Sequence, residues 1–597
     1  MRIQATRRLI APLAFCTIFI LAPSALAQDS RLRVDYTVKV ASVPERLFHV
    51  TTDISNIKQQ ELLLSLPTWT PGWYTVENYA KNILRFQVTD AEGARLPHRM
   101  TRKQTWRIET RGISRIKIEY DYRGDILALN QAEIREEFAF FTGIQLFLMV
   151  EGHRDKPSTV RFDAPEGWKI VSALKETADP KIFIASDYDT LVDSPTQMGN
   201  FDATRFEVEG KPHYLVTTPA GEFSKEKTDR FVEMLSRTFA AQSAIFGGLP
   251  YDKYVCFYFF LRPESNAGGA LEHANSYVAF APPARVATPE ILIGTASHEF
   301  FHTWNVKRIR PAEMWPYDYS RENESPLLWV SEGFTNYYTN VALLRAGIRD
   351  ARQFIDSVAQ AMTYVESNPA RNYISPSDAS TSTWLGYDTP VAFGISYYQQ
   401  GQNLGALLDL SIIHDSGGRH RLDDVFRALY KDYYLKGKGF KNEDLLSIIN
   451  RLAGKDYSDF FRRYVWGVEV PPYDRILGYA GYRTEKLSRK TPSLGFDGTM
   501  TPRGEIEITR VVPGESAAEA GLMRGDVLLR VDGQDVGRNF RLGDVAGKTV
   551  KVEIRRGEKT QTIDMFVKAN EASEYRVVEA QSPAAQQMKT REVWLKR

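Results

Sequence analysis

The sequence predicts a multidomain α+β protein, because its periodicity changes along the chain and 597 residues exceed what one core usually holds. Short alternating strands separated by turn clusters predict an N-terminal antiparallel β-domain over residues 28–210. Helical periodicity dominates residues 211–472, and short strands return over residues 491–569. Residues 473–490 are predicted to be a connector, and residues 570–597 a tail containing an amphipathic helix that docks on the body.

The composition is that of an ordinary globular protein. Hydrophobic residues make up 43% and charged residues 25%, and the formal net charge is +2. No long basic run with interleaved aromatic residues occurs, so we expect no nucleic-acid partner.

Residues 1–27 are predicted to be a secretory signal peptide. Arginines precede an apolar run over residues 9–21, and Ala25-Leu26-Ala27 forms an A-x-A cleavage site. We therefore expect a bacterial periplasmic or secreted protein with no integral membrane segment after cleavage. An uncleaved anchor is the alternative, and the choice between Sec and Tat export stays open. Cys256 lies in an apolar run and is expected to be a buried free thiol.

The β-domain shows its clearest strand pattern over residues 115–123. Isoleucines and tyrosines at alternate positions face one way, and charged side chains face the other. An aromatic-rich loop over residues 65–82, SLPTWTPGWYTVENYAKN, interrupts the alternation. It predicts a packed surface turn and has no catalytic spacing.

The helical domain contains a metal-binding motif, HEFFH. Thr288 as N-cap and Pro289 at the first helical position predict a helix that carries it. His298 and His302 lie four residues apart, which places both imidazoles on one face of a helix, one turn apart. Two such histidines suit a tetrahedral zinc ion, which usually takes three protein ligands in a catalytic site.

Glu332, in the downstream segment WVSEG, is the predicted third ligand. Glu299 points away from the histidine direction and is the predicted general base towards the attacking water. Tyr397 or Tyr398, at the start of a later helix, could donate to the developing oxyanion, and packing is the alternative role for both.

Glu272, in the segment GGALEH, is a candidate anchor for the α-amino group of a peptide. Gly268 and Gly269 would let a substrate backbone approach this strand closely. A carboxylate there would make the enzyme act from the N-terminus of its substrate. The alternative is an exposed charge that prevents sheet extension at an edge.

Residues 29 to about 590 resemble the M61 peptidase family, the glycyl aminopeptidases. The matching segments are LPTWTPGWY, GGALEH, HEFFHTWNVKRIRP, LLWVSEGFTNYY and SYYQQGQNLGALLDL. The resemblance implies a thermolysin-like catalytic domain, one zinc ion per chain, and removal of small N-terminal residues such as glycine and alanine from peptides. It also implies roles for site residues: His298, His302 and Glu332 as zinc ligands, Glu299 as general base, Glu272 as amine anchor. By similarity to the Y-x-x-G element of M1 aminopeptidases, Tyr398 is preferred over Tyr397.

Residues 491–569 resemble a PDZ domain. Its carboxylate-binding loop would be Ser493-Leu494-Gly495-Phe496, which would receive a peptide C-terminus while the peptide adds as a strand. A module that only packs on the catalytic domain is the alternative.

Zinc aminopeptidase is thus the leading function. A zinc endopeptidase of the same fold, with a structural Glu272, is the second reading. A PDZ-based peptide-binding protein with an inactive peptidase domain is the third.

Overall fold

The computed structural model describes residues 31–261, 269–386, 394–537 and 543–596. The predicted signal peptide, residues 1–27, and Gly268 lie outside the described residues. None of the helices within these ranges combines the length and the apolar character needed to cross a bilayer.

The first domain is built from strands, with two short helices, α1 Gly143–Leu146 and α2 Tyr188–Val192. Its strands, in chain order, are β1 Arg33–Ser42, β2 Leu47–Ser55, β3 Glu61–Ser65, β4 Ile83–Asp90, β5 His98–Arg102, β6 Thr105–Glu109, β7 Arg115–Arg123, β8 Glu133–Ile134, β9 Phe138–Thr142, β10 Met149–Val150, β11 Ser158–Asp163, β12 Lys169–Ser172, β13 Lys175–Glu176, β14 Ile182–Ala185 and β15 Pro195–Gly199.

These strands form a seven-stranded sheet of order β13-β14-β11-β1-β2-β7-β4 and two four-stranded sheets, β10-β3-β6-β5 and β12-β15-β9-β8. The predicted antiparallel β-domain is confirmed, with the exception that β1 and β11 pair in parallel. The predicted alternation on β7 is also observed, because Ile116, Ile118, Tyr120 and Tyr122 are all buried.

The second domain combines one sheet with a set of helices. Its sheet has the order β16-β17-β18-β20-β19. The strands are β16 Asp202–Val208, β17 Lys211–Thr218, β18 Tyr254–Phe259, β19 Ala270–His273 and β20 Ser276–Phe280. The helices are α3 Lys225–Phe246, α4 Pro289–Phe301, α5 Thr335–Arg345, α6 Ala351–Ser367, α7 Pro376–Thr381, α8 Tyr397–Asp415, α9 Leu422–Asp432, α10 Asn442–Ala453, α11 Ser458–Tyr464 and α12 Tyr473–Gly478.

The boundary predicted at residue 210 falls in the turn of the β16–β17 hairpin. Both strands belong to the second sheet, where β17 pairs in parallel with β18, so that sheet begins at Asp202. Cys256, on the central strand β18, is fully buried with a free thiol, and burial raises its pKa to about 12. Buried side chains of the first two domains form one large cluster and a second, smaller one, and each cluster contains residues of both domains.

The third domain lies at the end of a long antiparallel ribbon, made by β21 Tyr482–Ser493 and β28 Lys568–Glu579. The predicted connector therefore contains α12 and most of β21. Between the ribbon strands lie β22 Phe496–Met500, β23 Ile506–Val511, α13 Ser516–Glu519, β24 Val527–Val531, β25 Gln534–Asp535, β26 Thr549–Arg556 and β27 Lys559–Phe566. This domain has its own hydrophobic core. The tail forms helix α14 Ala585–Trp594, which places Trp594 in the core of the second domain.

Candidate metal centre and substrate cleft

Helix α4 carries the two histidines of HEFFH. Thr288 caps its start by accepting a hydrogen bond from the backbone N–H of Ile291, and Pro289 occupies the first turn. His298 lies in the last turn, and His302 is the C-cap residue. Both rings therefore lie at the buried end of a helix whose start the sequence defines.

Glu332 comes from a π-helical turn, Trp329–Phe334, that leads directly into α5. Such turns are rare and are often found at functional sites. Helix α8 crosses this turn at close range, because a Cβ atom added to Gly401 would overlap the carbonyl of Trp329. Glycine at this position therefore lets the start of α8 approach the Glu332 segment.

The three predicted ligands converge on one point. The two histidine Nε2 atoms are 3.0 Å apart, and Glu332 Oε2 lies 3.3 Å from Nε2 of His298 and 3.2 Å from Nε2 of His302. Ligand atoms around a tetrahedral zinc ion with bonds of about 2.0–2.1 Å are separated by about 3.3 Å. The residues present therefore fit one zinc ion.

Asn305 fixes the orientation of His302. Its backbone carbonyl accepts a hydrogen bond from Nδ1–H of His302, which leaves the electron pair of Nε2 free to bind a metal. The Asn305 side chain is held in turn by the carbonyls of Val330 and Ser331 and by Thr335. Residues on both sides of Glu332 thereby fix the orientation of the candidate ligand His302.

The electrostatics of the site favour a positive charge. Burial alone would lower the pKa of His302, but the carboxylates of Glu332 and Glu272 outweigh it and raise the pKa to about 10. The histidines in turn outweigh the effect of burial on Glu332 and hold its pKa far below the usual value. A metal cation can take the place of the proton on His302, because an imidazole ring nitrogen must be deprotonated to bind a metal.

Glu299 and Glu272 line the same buried space. One carboxylate oxygen of each and a nitrogen of His302 lie within 4.8 Å of one another. Burial raises the pKa of Glu299 well above its usual value. Glu272 is only 4% exposed, although it lies on the edge strand β19, so the alternative of an exposed edge charge is wrong. The domain interface covers this edge.

Tyr398 contacts the candidate metal ligand His298 directly. Its ring stacks on that of His298, with 6.1 Å between centroids and 22° between planes. The Tyr397 ring lies behind it, and its hydroxyl is 3.1 Å from Oγ1 of Thr383. Gly269, the described member of the predicted glycine pair, has φ +103° immediately before β19.

Two residues near Glu272 were not predicted as site residues: Lys307, which is buried, and its partner Asp193, which is partly buried. Lys307 Nζ lies 3.0 Å from Oδ1 of Asp193 and 4.0 Å from Oε1 of Glu272. Asp193, from the first domain, also contacts Nδ1 of His273 at 3.1 Å and accepts a hydrogen bond from the backbone N–H of Ala274. His273 therefore has a structural role at the contact between the two domains.

The predicted carboxylate-binding loop joins the ribbon to the edge strand β22 of the third domain. Ser493 donates to Glu515 at 2.7 Å, and the carbonyl of Leu494 accepts from the N–H of Ala517. Gly495 has φ +72°. Phe496 begins β22, which pairs with β23 on one side only.

Three family models match the chain. One described as Peptidase M61 N-terminal domain matches residues 35–200, one described as M61 glycyl aminopeptidase matches residues 291–404, and a PDZ domain matches residues 484–550. No curated protein sequence matches the chain.

Among solved structures, the chain is similar to an aminopeptidase N family protein from Idiomarina loihiensis. The two are 22% identical, the match covers 94% of this chain and 100% of that chain, and the TM-score is 0.83. An M1 zinc metallopeptidase from Deinococcus radiodurans is 16% identical over 74% of this chain and 95% of that chain, with a TM-score of 0.46. Yeast LTA4 hydrolase, solved in complex with bestatin, is 13% identical over 75% of this chain and 71% of that chain, with a TM-score of 0.48.

The fold and the His–His–Glu donor set define a metallopeptidase. Models of the M61 peptidase family match parts of the first two domains, and a PDZ domain lies between the two strands of the ribbon.

Proposed function

We propose that the protein is a zinc-dependent aminopeptidase that releases small N-terminal residues, glycine and alanine, from peptides. The observation that carries this proposal is the burial of the Glu272 carboxylate. Its Oε1 atom is buried and has no hydrogen-bond partner among the described residues, although it lies beside Glu299 and His302. A buried carboxylate oxygen without a donor is costly unless a ligand supplies one, and a peptide α-ammonium group would do so.

His298, His302 and Glu332 would hold the zinc ion. The ion supplies Lewis-acid polarisation of the scissile carbonyl and lowers the pKa of the attacking water. Glu299 then accepts the proton of that water and passes it to the nitrogen of the leaving amine. Its raised pKa suits a group that must both take up and release a proton near neutral pH.

Tyr398 would donate its hydroxyl proton to the carbonyl oxygen as negative charge develops there. Its stacking on His298 supports this assignment over Tyr397, whose hydroxyl is directed to Thr383. Glu272 fixes the α-amino group, so that the bond after the first residue lies over Glu299. The preference for glycine or alanine rests on the family description and the resemblance of the motifs.

The experiment is a profile of cleavage products by mass. A peptide mixture with all residues in the first position is incubated with the protein, with chelator, and with chelator followed by added zinc. Release of single N-terminal glycine and alanine residues, lost on chelation and restored by zinc, supports the proposal. Internal cleavage of acetyl-capped peptides at the same rate would favour an endopeptidase, and no cleavage with no bound zinc would favour a peptide-binding protein.

We also propose that the protein acts in the periplasm or outside the cell and that the PDZ domain binds a peptide C-terminus. The signal-like residues 1–27 support the first point, and the edge position of β22 supports the second. N-terminal sequencing of the protein recovered from its native compartment would test the first. A start at Met1 in the cytoplasmic fraction would contradict it.

A further inference from the structure

The aromatic-rich loop of the first domain contains a tight turn, Thr70-Pro71-Gly72-Trp73. The backbone N–H of Trp73 donates to the carbonyl of Thr70 at 3.0 Å, and Gly72 has φ +95°. Proline at the second position and a glycine with positive φ at the third are the features of a type II turn. The turn conformation alone therefore favours glycine at position 72.

The tip of this turn lies directly on Glu272 of the second domain. A Cβ atom added to Gly72 would be 2.7 Å from Oε1 and 2.8 Å from Oε2 of Glu272, and 2.7 Å from Cδ1 of Leu271. No side chain can occupy that space unless the carboxylate moves. The absence of a side chain at Gly72 thus leaves the space that the Glu272 carboxylate occupies against the first domain.

Hydrogen bonds and ring packing tie the loop to the second domain. The backbone N–H of Thr68 donates to the carbonyl of Tyr319 at 2.8 Å, and the indole N–H of Trp69 donates to the carbonyl of Asp318 at 2.9 Å. The Trp69 ring also packs edge-on against Trp384, with 5.1 Å between centroids. The turn is therefore held at a fixed distance from β19.

We propose that Gly72 is a positioning residue of the amine-binding subsite, which the first domain completes across the domain interface. The turn holds the Glu272 carboxylate in place, so that an α-ammonium group bound to it sets the scissile carbonyl over Glu299 and the metal ligands. This inference rests on the proposed function, and it gives the aromatic loop a role that its sequence alone did not suggest.

The test is the variant Gly72→Ala, which adds one methyl group against both carboxylate oxygens. Alaninamide, which has a free amine, and its acetyl-capped form serve as inhibitors of cleavage of an alanyl peptide. We expect the inhibition constant of alaninamide and the KM of the peptide to rise by roughly 10- to 100-fold, as expected for a displacement of about 1 Å at a catalytic constellation. Bound zinc, and inhibition by the capped compound, should not change.

The matched control is Gly93→Ala. Gly93 also has positive φ, at +85°, but a Cβ atom there would meet nothing described within 4 Å. The Gly93→Ala variant therefore has a similar backbone strain, but its new methyl group does not contact Glu272.

A second variant, Trp69→Phe, removes the hydrogen bond to Asp318 without adding an atom to the turn, and should raise KM by several-fold.

A double-mutant cycle separates positioning from a general loss of structure. In a Glu272→Gln background the carboxylate is gone, so adding Gly72→Ala should change the inhibition constant of alaninamide no further. Suppose that the wild type releases N-terminal residues but the Gly72→Ala and Gly93→Ala variants have equal KM values. That result would overturn this inference and leave the proposed function intact. A wild type that releases no N-terminal residue would overturn both.

Discussion

Trp594 donates its indole N–H to the hydroxyl of Tyr337, with 2.9 Å between the two atoms. Tyr337 lies on α5, which follows the π-helical turn that carries Glu332. The Tyr337 hydroxyl donates to Asp409, which also accepts hydrogen bonds from Arg421 and from the backbone of Leu422. Helix α14, which follows the PDZ domain in sequence, is therefore part of the core behind the metal centre.

Replacing this indole should destabilise the peptidase domain. Trp594 is 1% exposed, and truncation of a buried Trp to Ala costs about 3–5 kcal/mol. Trp594→Ala should lower the free energy of unfolding in urea by that amount, because it leaves a cavity and removes the indole donor to the Tyr337 hydroxyl. The control is Trp466→Ala, whose side chain is 41% exposed and should cost much less. Equal losses for the two variants would show that α14 is not part of the core.

Glu299→Gln should retain zinc and lose activity. The amide keeps the shape of the side chain but cannot accept the proton of the attacking water, so kcat should fall by about 10²- to 10⁴-fold. Metal analysis should still find one zinc per chain, because the ligands are unchanged. Glu290→Gln, on the exposed first turn of the same helix, is the control. Normal turnover by a zinc-loaded Glu299→Gln protein would remove Glu299 from the mechanism.

Lys307→Met should destabilise the interface between the first two domains. Burial would lower the pKa of Lys307, but Asp193 and Glu272 outweigh it and raise the pKa, so the buried lysine is charged. Its removal leaves the buried Glu272 and the partly buried Asp193 without their cation, which costs about 3–5 kcal/mol.

The double variant Lys307→Met, Asp193→Asn should recover part of that loss, because only one uncompensated carboxylate then remains. Lys225→Met, which breaks an exposed pair with Asp229, is the control and should change stability by less than about 1 kcal/mol. Strictly additive losses in the double variant would mean that the two side chains act independently.

Asp423 should make stability depend on pH in the acid range. Burial would raise its pKa, but Arg421 and Arg345 outweigh it and lower the pKa to about 2, from an ordinary value of 3.8. The carboxylate therefore contributes about 2 kcal/mol above pH 4, and this contribution is lost as the pH falls towards 2.

The difference in unfolding free energy between wild type and Asp423→Asn should accordingly be largest at neutral pH and shrink below pH 4. Guanidinium unfolding at a series of pH values measures it, with the exposed Asp229→Asn as control. A difference that stays constant down to pH 2.5 would contradict the assigned pKa.

Patterns within one element could be read from the sequence. The N-cap at Thr288 and the histidine spacing predicted α4 and two metal ligands, because capping and the helical period depend on residues a few positions apart. Alternation on β7 predicted its buried face for the same reason. Glu332 was found because its segment is a specific motif, but the π-helical turn that presents it carries no known local pattern.

Contacts between domains could not be predicted. Asp193 reaches Lys307, and Gly72 reaches Glu272, only because strands far apart in sequence bring the first domain against β19. A single sequence contains no record of such pairings, and TPGW has the same turn residues as any surface turn. The boundary placed at residue 210 failed similarly, because the partner of β17 that assigns the hairpin to the second sheet lies about forty residues further along.

The PDZ domain is attached to the rest of the protein through the two paired strands of the β21–β28 ribbon. The chain leaves the peptidase body along β21 and returns along β28, and the last register pair, Ser493 and Lys568, joins neighbouring strand ends. Residues so paired are about 5 Å apart, a gap that a two-residue hairpin loop spans. Replacing residues 494–567 by such a loop would leave α14 attached to the body. The PDZ domain can therefore be exchanged without rebuilding the core of the first two domains.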